Sequence, residues 1–172
     1  MNATDPHQIT PHFHLAEFLT KVPSGTVLPT GIEANIRQLA TTILEPLRVA
    51  MGTAVHVNDG WRLEAHNAAV GGVPTSDHLS ARAADIYVAK SAERSWQDRT
   101  IDAFDWIREN LGGRFGQLIL EDRRAHSGDP GDLCIHVSIP TAKHPGTAAD
   151  PSRILVSYMP KQYRLWVDGR DA

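Results

Sequence analysis

The stretch from Ser76 to Asp85 contains a histidine and an aspartate at a spacing that suits a metal ion. His78 lies in a polar, turn-like stretch, and Asp85 follows seven positions later in a segment that alternates like a β-strand. A loop that folds back would bring both side chains to one ion. Because such a pair also occurs by chance, the alternative is a surface histidine beside a turn.

A third candidate ligand, His136, lies in the predicted strand 133–139. Residues 133, 135, 137 and 139 are apolar, so His136 shares the opposite face with Cys134 and Ser138. The alternative is a hydrogen-bonded histidine on the exposed side of an edge strand. Cys134 lies about 6.5 Å along the strand from His136, too far for easy shared ligation, and is interpreted as a filler thiol. Three protein ligands with a fourth position for water are typical of catalytic zinc.

Six other histidines are predicted to be structural or solvent-facing. Some lie near the terminus, and the rest lie in a strand, beside a turn or in loops rich in Gly and Pro: His12, His14, His56, His66, His126 and His144.

Hydrophobic periodicity predicts the elements that must position these side chains. Helices are expected at Leu15–Leu19, at about 32–51 with Thr30 as a cap and Pro46 as a possible kink, and at about 92–111. Strands are expected at 54–58, 83–88, 117–121, 133–139, 153–158 and 163–167. This order indicates an α+β fold, a small antiparallel sheet packed against helices. Without a repeat or a linker, residues 1–172 are predicted to form one domain.

Composition excludes several classes of function. The chain has 172 residues, 41% of them hydrophobic and 22% charged, and a formal net charge of -3. This is the composition of a globular protein without the basic field that a nucleic acid would require. No apolar run has the length of a membrane span, and the N-terminus lacks the pattern of a secretory signal. Cys134 is the only cysteine, so an internal disulfide is excluded.

Several motifs follow one another in order along the chain: the Phe13–Phe18 opening, the Asp59–Arg62 turn with Asn67, the Val-Gly-Gly of residues 70–72, the Ser76–Asp85 motif, and His136 with Val137 and Ser138. Through these motifs the chain from Phe13 to His136 resembles the zinc D-Ala-D-Ala carboxypeptidase and L-alanyl-D-glutamate endopeptidase family, which includes phage-encoded members and is similar in fold to hedgehog domains.

The resemblance implies that His78, Asp85 and His136 are zinc ligands. It also implies that Arg62 stabilises the oxyanion or holds a substrate carboxylate, although Arg62 could instead pair with Asp59 or Glu64. Ser76 and Asn67 are expected to contact substrate or support the site, and the alternative for both is turn capping.

Two positions depart from the family pattern. Ala81 replaces a glycine, which is tolerable unless the backbone there requires a positive φ. Leu133 stands where many members place the acidic general base. Glu121, at the end of the preceding predicted strand, is the favoured substitute; Asp132, acting through a local bulge, is the second choice. Either carboxylate could instead be only a solvated loop acid.

The function that the resemblance implies is zinc-dependent hydrolysis of a peptide bond in the peptidoglycan stem peptide, of the D-Ala-D-Ala or the L-Ala-D-Glu type. The alternative is a zinc-containing binding module without activity, or a component of a phage tail or injection apparatus. Synthesis is expected in the bacterial cytoplasm, with action at the cell wall after lysis or delivery by an assembly. Neither a nucleic acid nor a membrane is an expected partner.

Overall fold

The computed structural model describes residues 7–146, 153–159, 162–167 and 170–171. Its helices are a 3₁₀ helix at Leu15–Leu19, α1 at Ile32–Leu39, a π-helical turn at Ala40–Leu44, α2 at Glu45–Met51, α3 at Glu64–Ala69, a 3₁₀ helix at Asp77–Ser80, α4 at Trp96–Asn110, a 3₁₀ turn at Gly112–Arg114 and α5 at Arg124–Ser127. None of the helices in these ranges combines the length and the apolar character needed to cross a membrane.

The strands form one mixed sheet in the order β1-β2-β4-β3-β5-β6-β7. Their bounds are β1 Val55–Asp59, β2 Ala83–Val88, β3 Leu118–Asp122, β4 Leu133–Ser138, β5 Ile154–Met159, β6 Gln162–Val167 and β7 Arg170–Asp171. The α+β class is confirmed. The sheet is not purely antiparallel, however, because β3 and β5 are parallel. Because one edge of β3 is already paired with β4, β5 pairs with its other edge. The two strands β3 and β5 run in the same direction.

The predicted helix 32–51 is confirmed, with a local irregularity before Pro46. Proline has no N–H and its ring crowds the preceding turn, and the wider π-helical turn at Ala40–Leu44 ends two residues before Pro46. Ala50, in the last turn of this helix, is exposed. Thr30 is not the cap, because Gly31 occupies that position with a φ of 91° and the cap has no side-chain hydrogen bond.

Helix α4 covers the apolar face of the sheet. It begins at Trp96, later than predicted, because Ser95 Oγ accepts a hydrogen bond from the N–H of Asp98 and caps the helix. Phe104 and Ile107 of α4 join the core that includes the strand residues Ala84, Ile86, Val88, Leu118, Leu120, Ile135 and Val137. Because strand side chains alternate, the residues between these positions face the other side of the sheet, where the candidate site lies.

Candidate metal centre

Two of the three predicted ligands lie on one row of side chains that crosses the sheet. Asp59 of β1 pairs with Asp85 of β2, Asp85 pairs with His136 of β4, and His136 pairs with Ile119 of β3. Directly paired residues of antiparallel strands place their side chains on the same face. Sheet register therefore brings Asp85 and His136 together although 51 positions separate them.

The third predicted ligand, His78, reaches the same point from the 3₁₀ helix Asp77–Ser80. Its side chain is buried, and its Nδ1 lies 2.7 Å from the carbonyl oxygen of Gly60. A carbonyl can only accept, so Nδ1 carries the proton and donates it. When the imidazole is neutral, this hydrogen bond leaves the lone pair of Nε2 directed at Asp85 and His136, which is the usual support for a metal-binding histidine.

The donor atoms of these three residues converge. His78 Nε2 lies 3.2 Å from Asp85 Oδ1 and 3.1 Å from His136 Nδ1, and His136 Nδ1 lies 3.0 Å from Asp85 Oδ1. Zinc bonds of about 2.0–2.2 Å in a tetrahedron separate neighbouring donor atoms by roughly 3.3–3.6 Å. The triangle is therefore nearly the size that zinc needs. In the described part of the chain, this is the one group of three or more His, Cys, Asp or Glu side chains with such convergence.

The electrostatics keep Asp85 ionised. Burial favours its neutral acid, but the charge of His78 and the hydrogen bonds from His136 and His78 outweigh burial and hold the pKa of Asp85 well below its usual range. Burial likewise opposes the charged form of His78, but the Asp85 carboxylate more than compensates and raises the pKa of His78. At neutral pH the cluster thus contains the anionic oxygen that a divalent cation prefers.

Arg62 holds the Asp85 carboxylate from the side away from the histidines. Its Nε donates to Asp59 Oδ2 at 2.8 Å, and its Nη2 donates to Asp85 Oδ2. Asp59 Oδ2 also contacts His66 Nε2 at 3.1 Å, which places His66 in a supporting position. The predicted ion pair of Arg62 with Asp59 is present. Contact of Arg62 with the substrate stays a prediction, since two of its three nitrogens are engaged with carboxylates.

Ser76 and Asn67 both make structural contacts beside the site. Ser76 Oγ accepts from the N–H of His78 at 3.4 Å and caps the short helix that carries this ligand. Asn67 is buried, and its Nδ2 donates to the carbonyl of Val73 at 2.9 Å. A Cβ on Gly72 would lie 2.1 Å from Asn67 Oδ1, so the turn is closely packed on this amide. Their contact with substrate stays a prediction.

The structure places the two candidate bases at different distances from His136. Glu121 pairs with Cys134, two residues from His136 on the same face of the sheet, whereas Asp132 is four residues away. At about 3.3 Å per residue, these separations are roughly 7 and 13 Å along the strand. The β3–β4 register runs without a shift from Leu118 to Asp122, so no bulge there brings Asp132 closer. Both side chains line the cleft that also contains the three candidate ligands. This cleft has a volume of about 650 Å³.

Glu121 is held by Arg123, a residue that the sequence did not single out. Arg123 Nη2 lies 2.7 Å from Glu121 Oε2, and the Cys134 thiol donates to the same oxygen at 3.7 Å. Burial, followed by the negative charges of Asp85 and Glu121, raises the pKa of Cys134 well above its ordinary value. Cys134 is therefore a neutral thiol at neutral pH, consistent with its interpretation as a filler.

Other cleft residues were also missed by sequence reasoning. Tyr163 of β6 contributes to the cleft opposite β1, and burial raises the pKa of its phenol. Lys143 and His144 contribute from the turn that follows β4. No motif marks these positions; only the tertiary fold brings them to the site.

Ala81 occupies the conformation that favours glycine. It has a φ of 56°, the one positive φ of a residue other than glycine in the described ranges, and its N–H closes the turn after His78. The departure from the family pattern at this position therefore carries a backbone cost of about 1–2 kcal/mol.

A family model for Peptidase M15 matches residues 11–105, which is more than half of the 172 residues. The match includes His78 and Asp85 and ends before His136. No curated protein matches the chain.

Proposed function

The chain belongs to the peptidase M15 family, and from that premise we propose that it is a zinc-dependent hydrolase of a peptide bond in bacterial peptidoglycan. One observation carries the proposal. His78 Nε2, Asp85 Oδ1 and His136 Nδ1 converge to within 3.2 Å of each other on the wall of a cleft.

When bound, zinc lowers the pKa of its water to about 7 and polarises the scissile carbonyl. His78, Asp85 and His136 would hold the ion. Gly60 fixes the ring of His78 through its carbonyl, and Arg62 fixes the carboxylate of Asp85. Such supporting contacts orient the ligands before the metal arrives, so little reorganisation accompanies binding.

Glu121 is the general base in this proposal. It takes a proton from the attacking water and returns it to the nitrogen of the leaving amine. Its place beside Cys134, about 7 Å along the strand from His136, leaves room for a water and a peptide carbonyl between them. Arg123 orients the carboxylate through the 2.7 Å ion pair. Asp132 is the weaker candidate because its strand position is about twice as far away.

Arg62 acts chiefly on Asp85 rather than on the substrate. Its side chain is only 11% exposed, and its Nε and Nη2 both donate to carboxylates. Removal of this cation would leave two buried carboxylates beside each other. Ser76 and Asn67 shape the wall of the cleft and hold the segments that bear His78 and Gly72.

The stem peptide is the proposed substrate because the family match and the cleft agree with it. A cleft of about 650 Å³ accommodates a short peptide. Its lining mixes apolar groups such as Val70 and Val73 with charged ones, which suits a peptide that contains both alanine and charged groups. Access to the cell wall, after lysis or through a phage tail or similar assembly, belongs to the same proposal.

A zinc-holding module without hydrolytic activity is the alternative, and the observation that favours it is Leu133. This residue is buried and apolar where an acidic base is expected. The two functions differ in whether the carboxylate of Glu121 performs the proton transfer.

Digestion of purified peptidoglycan by the zinc-loaded protein tests the proposal, with the fragments identified by mass spectrometry. The wild type should release new amine termini, and the Glu121→Gln and His78→Ala variants should not. Retained activity in Glu121→Gln together with loss in Asp132→Asn would reassign the base. A wild type that binds one zinc but releases no new termini would instead support the binding module.

A further inference from the structure

The cations of the cleft differ in whether an acid already neutralises them. Arg62 pairs with Asp59 and Asp85, and Arg123 pairs with Glu121. Lys143 also lines the cleft, but its side chain is exposed and makes no ion pair with any described residue. Its ammonium is therefore the positive charge of the cleft that is available to an incoming anion.

The turn that carries Lys143 is fixed on both sides. The N–H of Thr141 donates to the carbonyl of His144 at 2.8 Å, and the N–H of His144 donates to Thr141 Oγ1 at 3.0 Å. His144 Nδ1 also lies 3.3 Å from Asp77 Oδ2, next to the ligand His78. At the other side Gly146, with a φ of 73°, packs so closely on Pro140 that a Cβ would lie 2.5 Å from the proline ring. The backbone of Lys143 thus has a set position relative to the candidate metal centre.

The charges that are free to meet a ligand are arranged with opposite signs at the two ends of β4. Asp132 directly precedes this strand, Lys143 follows it, and His136 lies between them. The Glu121 carboxylate lies near the Asp132 end but is already paired with Arg123, so Asp132 is the acid there that is available to repel a ligand carboxylate. A ligand carboxylate is attracted to the Lys143 end and repelled from the other, so the field favours one direction of a bound peptide.

We infer that Lys143 binds a carboxylate carried by the residue on the leaving-amine side of the scissile bond. The inference rests on the proposed function and adds its substrate class: a peptide with a free carboxylate directly after the cleaved bond. Both candidate bonds meet this requirement. D-Ala-D-Ala ends in a carboxylate, and the D-Glu of L-Ala-D-Glu keeps its α-carboxylate because the chain continues from the γ-carboxyl. The acyl half of the peptide then lies towards Glu121 and Asp132.

Binding without turnover tests this assignment. Isothermal titration calorimetry would compare diacetyl-L-Lys-D-Ala-D-Ala with its C-terminal amide, and L-Ala-D-Glu with L-Ala-D-isoglutamine. The protein is zinc-loaded and carries Glu121→Gln, which should slow hydrolysis about 10²–10⁴-fold, so that binding is measured before turnover. The free acid of at least one pair should bind about fivefold more tightly than its amide, the size of a partly exposed ion pair. Lys143→Met should remove this preference, Lys143→Arg should keep it, and Lys21→Met, a change at an exposed lysine outside the cleft, should leave it unchanged.

Two results would overturn the assignment. One is equal binding of acid and amide before Lys143 is changed, including no measurable binding of either. The other is an acid preference that survives Lys143→Met, which would attribute it to the metal. Failure of the hydrolase proposal has a different signature: the wild type would cleave no peptide while the Lys143-dependent preference remains. Cleavage with an acid-to-amide ratio that Lys143→Met leaves unchanged would refute only the role of Lys143.

Discussion

The metal end of the cleft, formed by His78, Asp85 and His136, and the base end, formed by Glu121, are built differently. At the metal end, His78 is fixed by the carbonyl of Gly60 and Asp85 by the guanidinium of Arg62, and both candidate ligands are at least 92% buried, since their exposed fractions are 1% and 8%. At the other end, Glu121 depends on one ion pair with Arg123 and a long thiol contact. A metal requires three donor atoms within tenths of an ångström, whereas a general base has to reach one proton. The positions of the side chains are therefore more tightly constrained at the metal end than at the base end.

This contrast explains why a departure at Leu133 is compatible with the proposed chemistry. A carboxylate can approach the same water from a neighbouring strand, because β3 and β4 pair in regular register on one face. No such freedom exists for His78, Asp85 or His136, whose positions are set jointly by sheet register and by the short helix Asp77–Ser80.

Loss of a ligand at the metal end should have the largest effect. His78→Ala removes one of three donor atoms and should lower the rate of peptidoglycan cleavage by at least about a thousandfold, because the chemistry supplied by the metal is lost with it. Zinc content, measured by inductively coupled plasma mass spectrometry after gel filtration, should fall from one ion per chain to nearly none. His126→Ala, at an exposed histidine outside the cleft, is the matched control. Full zinc content in His78→Ala would remove this residue from the ligand set.

Loss of the base should reduce the rate but spare the metal. Glu121→Gln keeps the shape of the side chain and should lower the rate about 10²–10⁴-fold, the usual contribution of general base catalysis. Zinc content should stay at one per chain, which separates this variant from His78→Ala. Asp132→Asn is the comparison, and we expect it to lose no more than a few-fold. The reverse order of these two variants would place the base at Asp132.

Removal of the supporting cation should damage stability and zinc affinity together. Arg62→Met leaves Asp59 and Asp85 buried without their ion pair, so the free energy of unfolding should fall by about 3 kcal/mol. Loss of an orienting contact should also weaken zinc binding about 10–100-fold. Urea unfolding and competition with a zinc chelator measure the two effects, with the exposed Arg114→Met as control. Unchanged zinc affinity would show that Asp85 does not depend on Arg62.

A smaller, pH-dependent effect on the free energy of unfolding is expected at Asp122, the residue that follows Glu121 and ends β3. Hydrogen bonds from Arg124 are the largest cause of a lowered pKa for Asp122, and burial opposes them only in part. A lowered pKa stabilises the fold above the ordinary carboxyl value of 3.8, and this stabilisation is lost as the pH falls through the lowered pKa. Asp122→Asn should therefore cost about 1 kcal/mol at about pH 7 and progressively less below 3.8. A difference that does not change with pH in urea unfolding would contradict the ion pair.

The smallest effect is expected at Ala81. Ala81→Gly relieves a backbone cost of about 1–2 kcal/mol, but it removes a buried methyl worth about 0.8 kcal/mol and adds freedom to the unfolded chain. These terms nearly cancel, so the free energy of unfolding should change by less than about 1 kcal/mol. A gain of several kcal/mol would mean that the turn after His78 is strained beyond this one residue.

Much of the fold could be predicted because its pattern is local. Alternation along 83–88 and 133–139 placed β2 and β4 within one residue of their observed bounds, and the periodic apolar face of 32–51 predicted the long helix. The helix α3 and the 3₁₀ helix at Asp77–Ser80 were missed, because segments this short depend on tertiary contacts such as the hydrogen bond from His78 to Gly60. The parallel pairing of β3 with β5 was missed for a related reason, because the sequence of a strand does not indicate which other strand will lie beside it.

The candidate site likewise contains residues that local motifs identify and contacts that only the tertiary structure creates. Ordered motifs identified His78, Asp85 and His136, and the structure brings their donor atoms together. The engagement of Arg62 by two carboxylates, the pairing of Arg123 with Glu121 and the position of Lys143 arise from contacts between segments far apart in the chain. These contacts decide which cation is available to a ligand, and no spacing in the sequence encodes them.

Zinc X-ray absorption on the wild-type protein, loaded with one equivalent of zinc, tests the metal centre most directly. We expect nitrogen and oxygen neighbours at about 2.0–2.2 Å and the outer-shell scattering of two imidazole rings, from His78 and His136. A sulfur neighbour at about 2.3 Å would mean that Cys134 is a ligand. That result, or zinc bound without histidine scattering, would contradict the centre formed by His78, Asp85 and His136.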